Sequence, residues 1–337
     1  MSLPLVSVIL VCRNEEKTIK KVLNSLSNQT RKPDEIIVVD GQSTDNTVSI
    51  IEKLAEKSNN IKIITNEKKF TPHGLNLGIK NSKGDFVFIA GSHTEFDEKY
   101  VEYSVEFLMK HPEASAVGGV SLATPANDKS CLQKSMAFSY SSPFGTASRH
   151  RHQVKEPQEV DTVAYACYRR EVFDKVGYFN EKLLRNQDIE FNYRMRKKGL
   201  KIFLLPITNN YYVPNGLWDF MKKNFSNGFW NYITLKISPY GISLRHFIPF
   251  IFIMYLLLLF IFLVLSKNAV FNIILAIPFF IYLFIDTLFS LKYAIKEKNI
   301  LLFFCSFFVF LLLHISYGSG TFWSILKSIL FTRRKKS

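Results

Sequence analysis

The chain has 337 residues, of which 47% are hydrophobic, and 43 Lys and Arg against 28 Asp and Glu give a formal net charge of +15. The basic residues are dispersed, and no zinc-finger or RNA-binding signature accompanies them, which argues against nucleic-acid binding and for anionic lipid or phosphate-bearing partners. Cys12, Cys131, Cys167 and Cys305 form no CxxC pair, so they read as reduced thiols and exclude both a disulfide framework and a zinc site.

Met1–Pro4 lead directly into the apolar run at 6–11, so no signal peptide is expected and the N-terminal part is expected to stay on the cytoplasmic side. Strand 6–11 leads into Arg13-Asn14-Glu15-Glu16 and a helix over 18–26. Strand 36–39 runs into Asp40-Gly41-Gln42-Ser43-Thr44-Asp45, then a helix over 47–57. Strand 61–65 is followed by a loop with Pro72 and Gly74 and a short helix near 75–80. Strand 86–90 stops at Gly91-Ser92-His93, and a helix over 99–111 returns the chain to strand 116–120. Short β-runs alternating with helical patterns predict a mainly parallel sheet. Polar residues collect where the strands end, the edge at which open α/β sheets bind ligands.

From 121 to 159 the pattern weakens, and Ser142-Pro143-Phe144-Gly145 with Arg149-His150-Arg151-His152 reads as a loop over the sheet edge. Order returns over 160–168, followed by helices over 170–176 and 188–198 and a strand over 202–205 that stops at Pro206. The segment 217–235 mixes Trp218, Phe225 and Trp230 with Lys222 and Lys223, a composition suited to a bilayer interface or to an ordinary packing helix. Beyond His246, three apolar runs at 247–265, 269–291 and 300–317 predict an integral membrane protein. Arg245, Lys292, Lys296 and Lys298 favour cytoplasmic flanks. A cytoplasmic Arg333-Arg334-Lys335-Lys336 tail then requires the third run to re-enter, or 321–331 to bring the chain back.

The opening strand with Arg13-Asn14-Glu15-Glu16, the Val38-Val39-Asp40-Gly41-Gln42-Ser43-Thr44-Asp45 stretch and Asn186-Gln187-Asp188-Ile189-Glu190 together resemble glycosyltransferase family 2. Ser142-Pro143-Phe144-Gly145, Val160-Asp161-Thr162-Val163 and Tyr168-Arg169-Arg170-Glu171-Val172-Phe173 resemble its succinoglycan-type glucosyltransferase branch, which builds exopolysaccharide units on a lipid carrier. The resemblance covers about residues 4–235.

It implies an α/β GT-A domain over 1–215, joined by an interfacial region over 216–245 to transmembrane helices and a basic tail over 246–337. It also implies a nucleoside diphosphate sugar donor, most often a UDP-sugar. Arg13, Asn14, Glu15, Asp40, Asp45 and Ser92 match donor-binding positions. A carboxylate such as Asp40 at a strand end can accept from a base N–H or ribose hydroxyls, although turn and cap chemistry explain Asp40 and Asp45 as well. Gly91-Ser92-His93 falls on the family's DxD motif, often Asp-Ala-His in this branch. That leaves His93 as the ligand for Mg²⁺ or Mn²⁺ and Gly91 without the first carboxylate. Asp188 matches the catalytic aspartate, and Gln187 in place of the family's glutamate removes a like charge, predicting a lower Asp188 pKa than in relatives. A single positioned carboxylate suits inverting transfer, in which a base takes the acceptor proton; helix capping explains an acid there too. Asp161, Tyr165, Gln187 and Trp230 fall on the acceptor side, with Arg149 and Arg151 suited to a lipid diphosphate. Only Trp230 survives of the processive synthases' Gln-x-x-Arg-Trp motif, which argues against a processive enzyme.

The reading is a multi-pass enzyme of the cell (inner) membrane with a cytoplasmic catalytic domain, moving a sugar to a lipid-linked glycan. The alternatives are a polyprenyl-phosphate monosaccharide synthase and a catalytically impaired binding protein, the latter motivated by Gly91 and Gln187.

Overall fold

Val6, Val8 and Leu10 enter one apolar cluster while Ile9 enters another, and Ile36 and Val38 alternate in the same way with Ile37 and Val39. That period of two buries both faces of the central strands, as expected where helices cover a parallel sheet. The computed structural model describes residues 3–146 and 154–334, with side chains up to 330. Arg149, His150, Arg151 and His152 lie outside the described residues.

The chain parts into two compact units, Met1–Leu122 with Arg149–Tyr212, and Ala123–Ser148 with Val213–Ser337. In the first, β1 (Val6–Cys12), α1 (Ile19–Ser27), β2 (Glu35–Asp40), α2 (Thr47–Ala55), β3 (Ile61–Thr65), α3 (Thr71–Asn81) and β4 (Phe86–Gly91) follow the predicted alternation. A short β5 (Thr94–Phe96) and α4 (Tyr100–Lys110) lead to β6 (Ala114–Thr124). The second segment of this unit holds β7 (Gln158–Glu159), β8 (Cys167–Arg169), α6 (Glu171–Val176), α7 (Gln187–Lys197) and β9 (Lys201–Tyr212). The sheet order is β3-β2-β1-β4-β8-β6-β9-β5, with β7 paired to β9. Strands β1 to β4 are parallel, and β8 is antiparallel to both neighbours, so the sheet is mixed.

Of the ordered stretch expected over 160–168, only Cys167 and Tyr168 fall in a strand, β8, and the residues before it form a loop. Strand 202–205 instead runs through Pro206 to Tyr212. Pro206 falls between the residues paired with β7 (Phe203, Leu204) and those paired with β5 (Asn209, Asn210, Tyr211), so neither ladder needs its missing N–H.

The second unit is helical. Residues 123–146, read from sequence as part of the 1–215 domain, contain α5 (Cys131–Ser141) and pack with the C-terminal helices. Phe138 stacks on Tyr293 with ring centroids 4.0 Å apart, and Ser135 and Ser306 hydroxyls meet at 3.0 Å. Phe144 lies against Phe289, Phe310 and His314. The remaining helices are α8 (Leu217–Ile237), a 3₁₀ turn at Leu244–Phe247, α9 (Ile248–Leu265), α10 (Ala269–Lys296) and α11 (Leu301–Arg334). Helix α8 buries Phe220, Asn224, Gly228, Asn231 and Thr234, one helical face, and leaves Trp218 64% exposed. Three helices, Leu244–Leu265, Ala269–Lys296 and Leu301–Leu330, are long and apolar enough to cross a membrane. Helix α11 continues for 34 residues through the third run and beyond it, so 321–331 does not turn back as one of the two expected routes required.

Candidate active site

The site is assembled by register. Cys12 pairs with Asp40 across β1 and β2, and Val11 pairs with Gly91 across β1 and β4. The carboxyl ends of three adjacent parallel strands therefore present Arg13, Asp40 and Ser92 side by side.

Hydrogen bonds between the loops following β1 and β2 fix this edge. The Asn14 N–H donates to Ser43 Oγ at 2.9 Å, and Asn14 Oδ1 accepts from the Thr44 N–H at 2.8 Å. The Glu15 N–H donates to Thr47 Oγ1 at 2.7 Å, and the Glu16 N–H to Asp45 Oδ2 at 3.2 Å. Asn14 and Gln42 both have left-handed backbones, with φ of 56° and 59°; asparagine takes this region more readily than most residues. Arg13 is exposed, with no side-chain partner among the described residues.

The two candidate aspartates at and beyond the end of β2, Asp40 and Asp45, serve the turn. Asp40, 4% exposed, accepts from the Ser43 N–H at 3.0 Å and from Ser43 Oγ at 2.5 Å. Asp45 accepts from the N–H and hydroxyl of Thr47 at 3.0 and 2.5 Å. Desolvation works to raise the Asp45 pKa, but the bonds from Thr47 and Glu16 outweigh it and hold the carboxyl below its ordinary value.

Glu15 joins this turn to the end of β4. Its Oε1 accepts from Ser92 Oγ at 3.0 Å and lies 3.5 Å from His93 Nδ1, while Oε2 accepts from Thr18 Oγ1 at 2.9 Å. Burial pushes the Glu15 carboxyl up, and the hydrogen bond and charge of His93, with Thr18 and Ser92, pull it below its ordinary value. Thr18 and Thr47 are not legible as partners in the sequence. As common cap and turn residues they carry no signal until register sets them opposite their acceptors.

The described residues contain no group of three or more His, Cys, Asp and Glu able to hold a metal ion. His93 and Glu15 offer one nitrogen and one oxygen, a donor set that fits Mg²⁺ or Mn²⁺ when diphosphate oxygens and water complete the shell.

Gly91, where the DxD motif has an acid, is explained by packing. A Cβ there would lie 2.4 Å from Tyr165 Cε1 and 2.9 Å from its Cζ. The Tyr165 ring thus occupies the place a side chain at 91 would need. Tyr165 itself has φ of 52°, an uncommon conformation for a bulky residue that costs about 1–3 kcal/mol. Its carbonyl accepts from Tyr100 Oη at 3.2 Å, and the next carbonyl, of Ala166, accepts from the Ile89 N–H at 2.9 Å. These contacts set Tyr165, expected on the acceptor side, against the end of β4.

The same loop reaches α7. Asn192 Nδ2 donates to Thr162 Oγ1 at 2.8 Å, and exposed Asp161 pairs with Arg196 at 3.6 Å. Asp188 lies one turn before Asn192 on the same helical face, in the first turn of α7, after Asn186 in the left-handed region. Burial raises its pKa above the ordinary 3.8, against the lowering effect of the Ile189 N–H and its own. The release from a like charge expected from Gln187 is therefore set beside a desolvation that acts the other way. Gln187 Oε1 is buried without a hydrogen-bond partner. Trp230 belongs to α8, in the second unit, and packs edge-on to Phe229.

The family model described as glycosyl transferase family 2 matches residues 7–177. A dolichyl N-acetyl-alpha-D-glucosaminyl phosphate 3-beta-D-2,3-diacetamido-2,3-dideoxy-beta-D-glucuronosyltransferase of Methanococcus voltae is 33% identical over 233 residues, covering 66% of this chain and 71% of that protein. A poly-beta-1,6-N-acetyl-D-glucosamine synthase of Staphylococcus aureus (strain COL) is 26% identical over 217 residues, 63% of this chain; the chain spans about half of it, 52%. Among solved structures, GalNAc-T7 with UDP, GalNAc and Mn²⁺ superposes with a TM-score of 0.51 at 16% identity, covering 63% of this chain and 44% of that one. That likeness concerns the fold.

Proposed function

Because the chain belongs to glycosyltransferase family 2, we propose that it is a membrane-bound inverting enzyme that moves a sugar from a UDP-sugar to a lipid-linked glycan. The observation that carries this reading is the joined edge of β1, β2 and β4, where Asn14, Glu15, Ser92 and His93 are held by one set of hydrogen bonds. The relative from Methanococcus voltae, whose name gives a dolichyl-linked sugar phosphate as its acceptor, supports the choice of a lipid-linked glycan.

In this reading Arg13, Asn14, Asp40, Asp45 and Ser92 form the donor wall. Arg13 supplies an unpaired positive charge, while Asp40 and Asp45 act mainly by shaping the turn. Glu15 and His93 would hold Mg²⁺ or Mn²⁺, which offsets the charge that develops on the leaving diphosphate. Asp188 accepts the proton of the acceptor hydroxyl as its oxygen bonds to the anomeric carbon and the bond to the diphosphate breaks. Burial suits the task, since a base whose pKa is raised takes a proton more readily. Asp161, Tyr165 and Gln187 would contact the acceptor. Gln187 has a buried carbonyl free to accept from a sugar hydroxyl. The catalytic unit would lie on the cytoplasmic face of a cell membrane, in cell-surface glycan or exopolysaccharide synthesis.

The test is a donor screen with the full chain in detergent, supplying polyprenyl-linked glycans and reading both nucleotide release and the mass of the lipid product. Acceptor-dependent UDP release with a lipid heavier by one sugar is expected. Transfer only to bare polyprenyl phosphate would make the enzyme a monosaccharide synthase. Absence of metal-dependent UDP binding would leave a binding protein.

A further inference from the structure

The second unit contains a cavity of about 300 Å³ whose lining includes none of the residues given a role in transfer above. Pro125, with Lys134 and Phe138 of α5, forms one side; Tyr293, Lys296 and Glu297, at the end of α10, form the other. The walls are fixed to each other by the Phe138–Tyr293 stack, whose planes differ by 3°, and by Tyr293 Oη donating to the Lys134 carbonyl at 3.4 Å. Among the described residues neither the Lys134 nor the Lys296 ammonium has a hydrogen-bond or ion-pair partner. Two cations against the single carboxylate of Glu297 leave the cavity with a net positive charge.

Position along the helix identifies the kind of anion. Helix α10 runs for 28 residues, about 42 Å at 1.5 Å per residue, against a hydrocarbon core about 30 Å thick. Its apolar part comes first, with no charge before Asp286, and Lys292 and Lys296 follow in its last turns. A span of this pattern places its basic end among lipid headgroups, where paired lysines attract anionic lipid. The volume is at the lower limit of small-molecule sites. The aromatic wall suits the first carbons of an acyl or prenyl chain.

We propose that this cavity binds the phosphate headgroup of an anionic membrane lipid, with Lys134 and Lys296 on the phosphate oxygens and the Phe138–Tyr293 wall beside the lipid chain. The proposal does not depend on the transfer reading.

The experiment is native mass spectrometry of the full chain in detergent. Phosphatidylglycerol, polyprenyl phosphate and phosphatidylcholine are titrated separately, and inorganic phosphate serves as competitor. The wild type is expected to retain phosphatidylglycerol or polyprenyl phosphate in preference to phosphatidylcholine, and the tighter of the two names the source. The Lys134→Gln/Lys296→Gln double variant should bind about 10- to 30-fold more weakly, and the Lys134→Arg/Lys296→Arg variant near the wild-type level. Lys292→Gln, which alters an exposed lysine outside the cavity, should change binding by less than about 3-fold. Equal retention by the double Gln variant, or an equal loss in Lys292→Gln, overturns the site. Displacement by inorganic phosphate at the same concentration as the lipid overturns the lipid assignment.

Discussion

At position 91 the absence of a side chain is itself informative. A Cβ there meets the Tyr165 ring at 2.4 Å, and that ring is held edge-on to Phe96 with centroids 5.8 Å apart. Gly91→Asp, which restores the family's carboxylate, should therefore destabilise the protein by about 1–3 kcal/mol through overpacking. Tyr165→Ala in the same chain should recover part of that loss, because the two changes share one space. Strictly additive effects in denaturant unfolding would refute the steric account. Asp188 offers a second case. Asp188→Asn should lower transfer by about 10²–10⁴-fold while UDP affinity stays near wild type. Its stability effect has a definite sign. A carboxyl whose pKa is raised by folding holds its proton more tightly in the folded state, so stability falls as pH climbs above the ordinary 3.8. The Asn variant does not ionise and should melt higher than wild type at pH 7, with the gap closing near pH 3; a gap independent of pH would mean that Asp188 is not desolvated. Asp188, Asn14 and Glu15 were legible in the sequence because each sits in a motif at a strand or helix end. The hold of Glu15 on His93 and Ser92, and the filling of position 91 by Tyr165, were not. Both depend on side chains 74 or more residues apart meeting through the register of β1 with β4 and the path of the 160–168 loop.

At the scale of elements, the parallel strands were readable because they are short apolar runs rich in β-branched residues, Ile36-Ile37-Val38-Val39 in β2 the clearest. Helix α5 was not, since its buried residues include Ser135, Ala137 and Ser139, which give little apolar periodicity. A signal was present: Ser130 stands three residues before Gln133, the spacing of a capping box, and its side chain accepts from the Gln133 N–H at 3.3 Å. Helix α11 shows the opposite case, since the apolar run that ends at 317 in the sequence continues as helix through Gly318 and Gly320. A Cβ at Gly318 would lie 2.1 Å from the Pro249 carbonyl oxygen, one at Gly320 2.0 Å from that of Phe225, and one at Gly228 1.8 Å from that of Tyr317. These glycines allow α8, α9 and α11 to approach backbone to backbone, the small-residue packing expected of helices in lipid. Gly228→Val should separate α8 from α11 and cost about 1–3 kcal/mol or more, since backbone cannot yield as a side chain does. Gly216→Ala, where the nearest atom is 4.0 Å away, should be nearly neutral. Thermal unfolding of the two variants in one detergent tests the contrast, and equal melting temperatures would reject the packing role.

For the molecule as a whole, two physical forces compete to explain attachment to a membrane, and they respond differently to solvent. The charge of +15 attracts anionic lipid, but it acts through water and is screened within about 3 Å at 1 M salt. The apolar helices act through burial. Phe260, Val264 and Leu265 of α9 are 69%, 67% and 72% exposed, and Ile273, Phe280 and Phe284 of α10 are 67%, 64% and 63% exposed. Large apolar side chains left this exposed are what soluble proteins avoid gathering in one patch, so lipid is the solvent that suits them, at about 25 cal/mol per Å² transferred. Raising the pH to about 11.5 removes the charge of most lysines, whose ordinary pKa is about 10.4, and leaves the apolar contribution unchanged. The full chain should therefore stay with membranes through a 1 M salt wash and a wash at that pH, leaving only on addition of detergent. Release by salt alone would assign attachment to the basic surface and remove the proposed spans. Release at high pH but not by salt would point to one face of α9 and α10 resting at the interface, because a shallow helix loses its lysine anchors there whereas a spanning one does not depend on them.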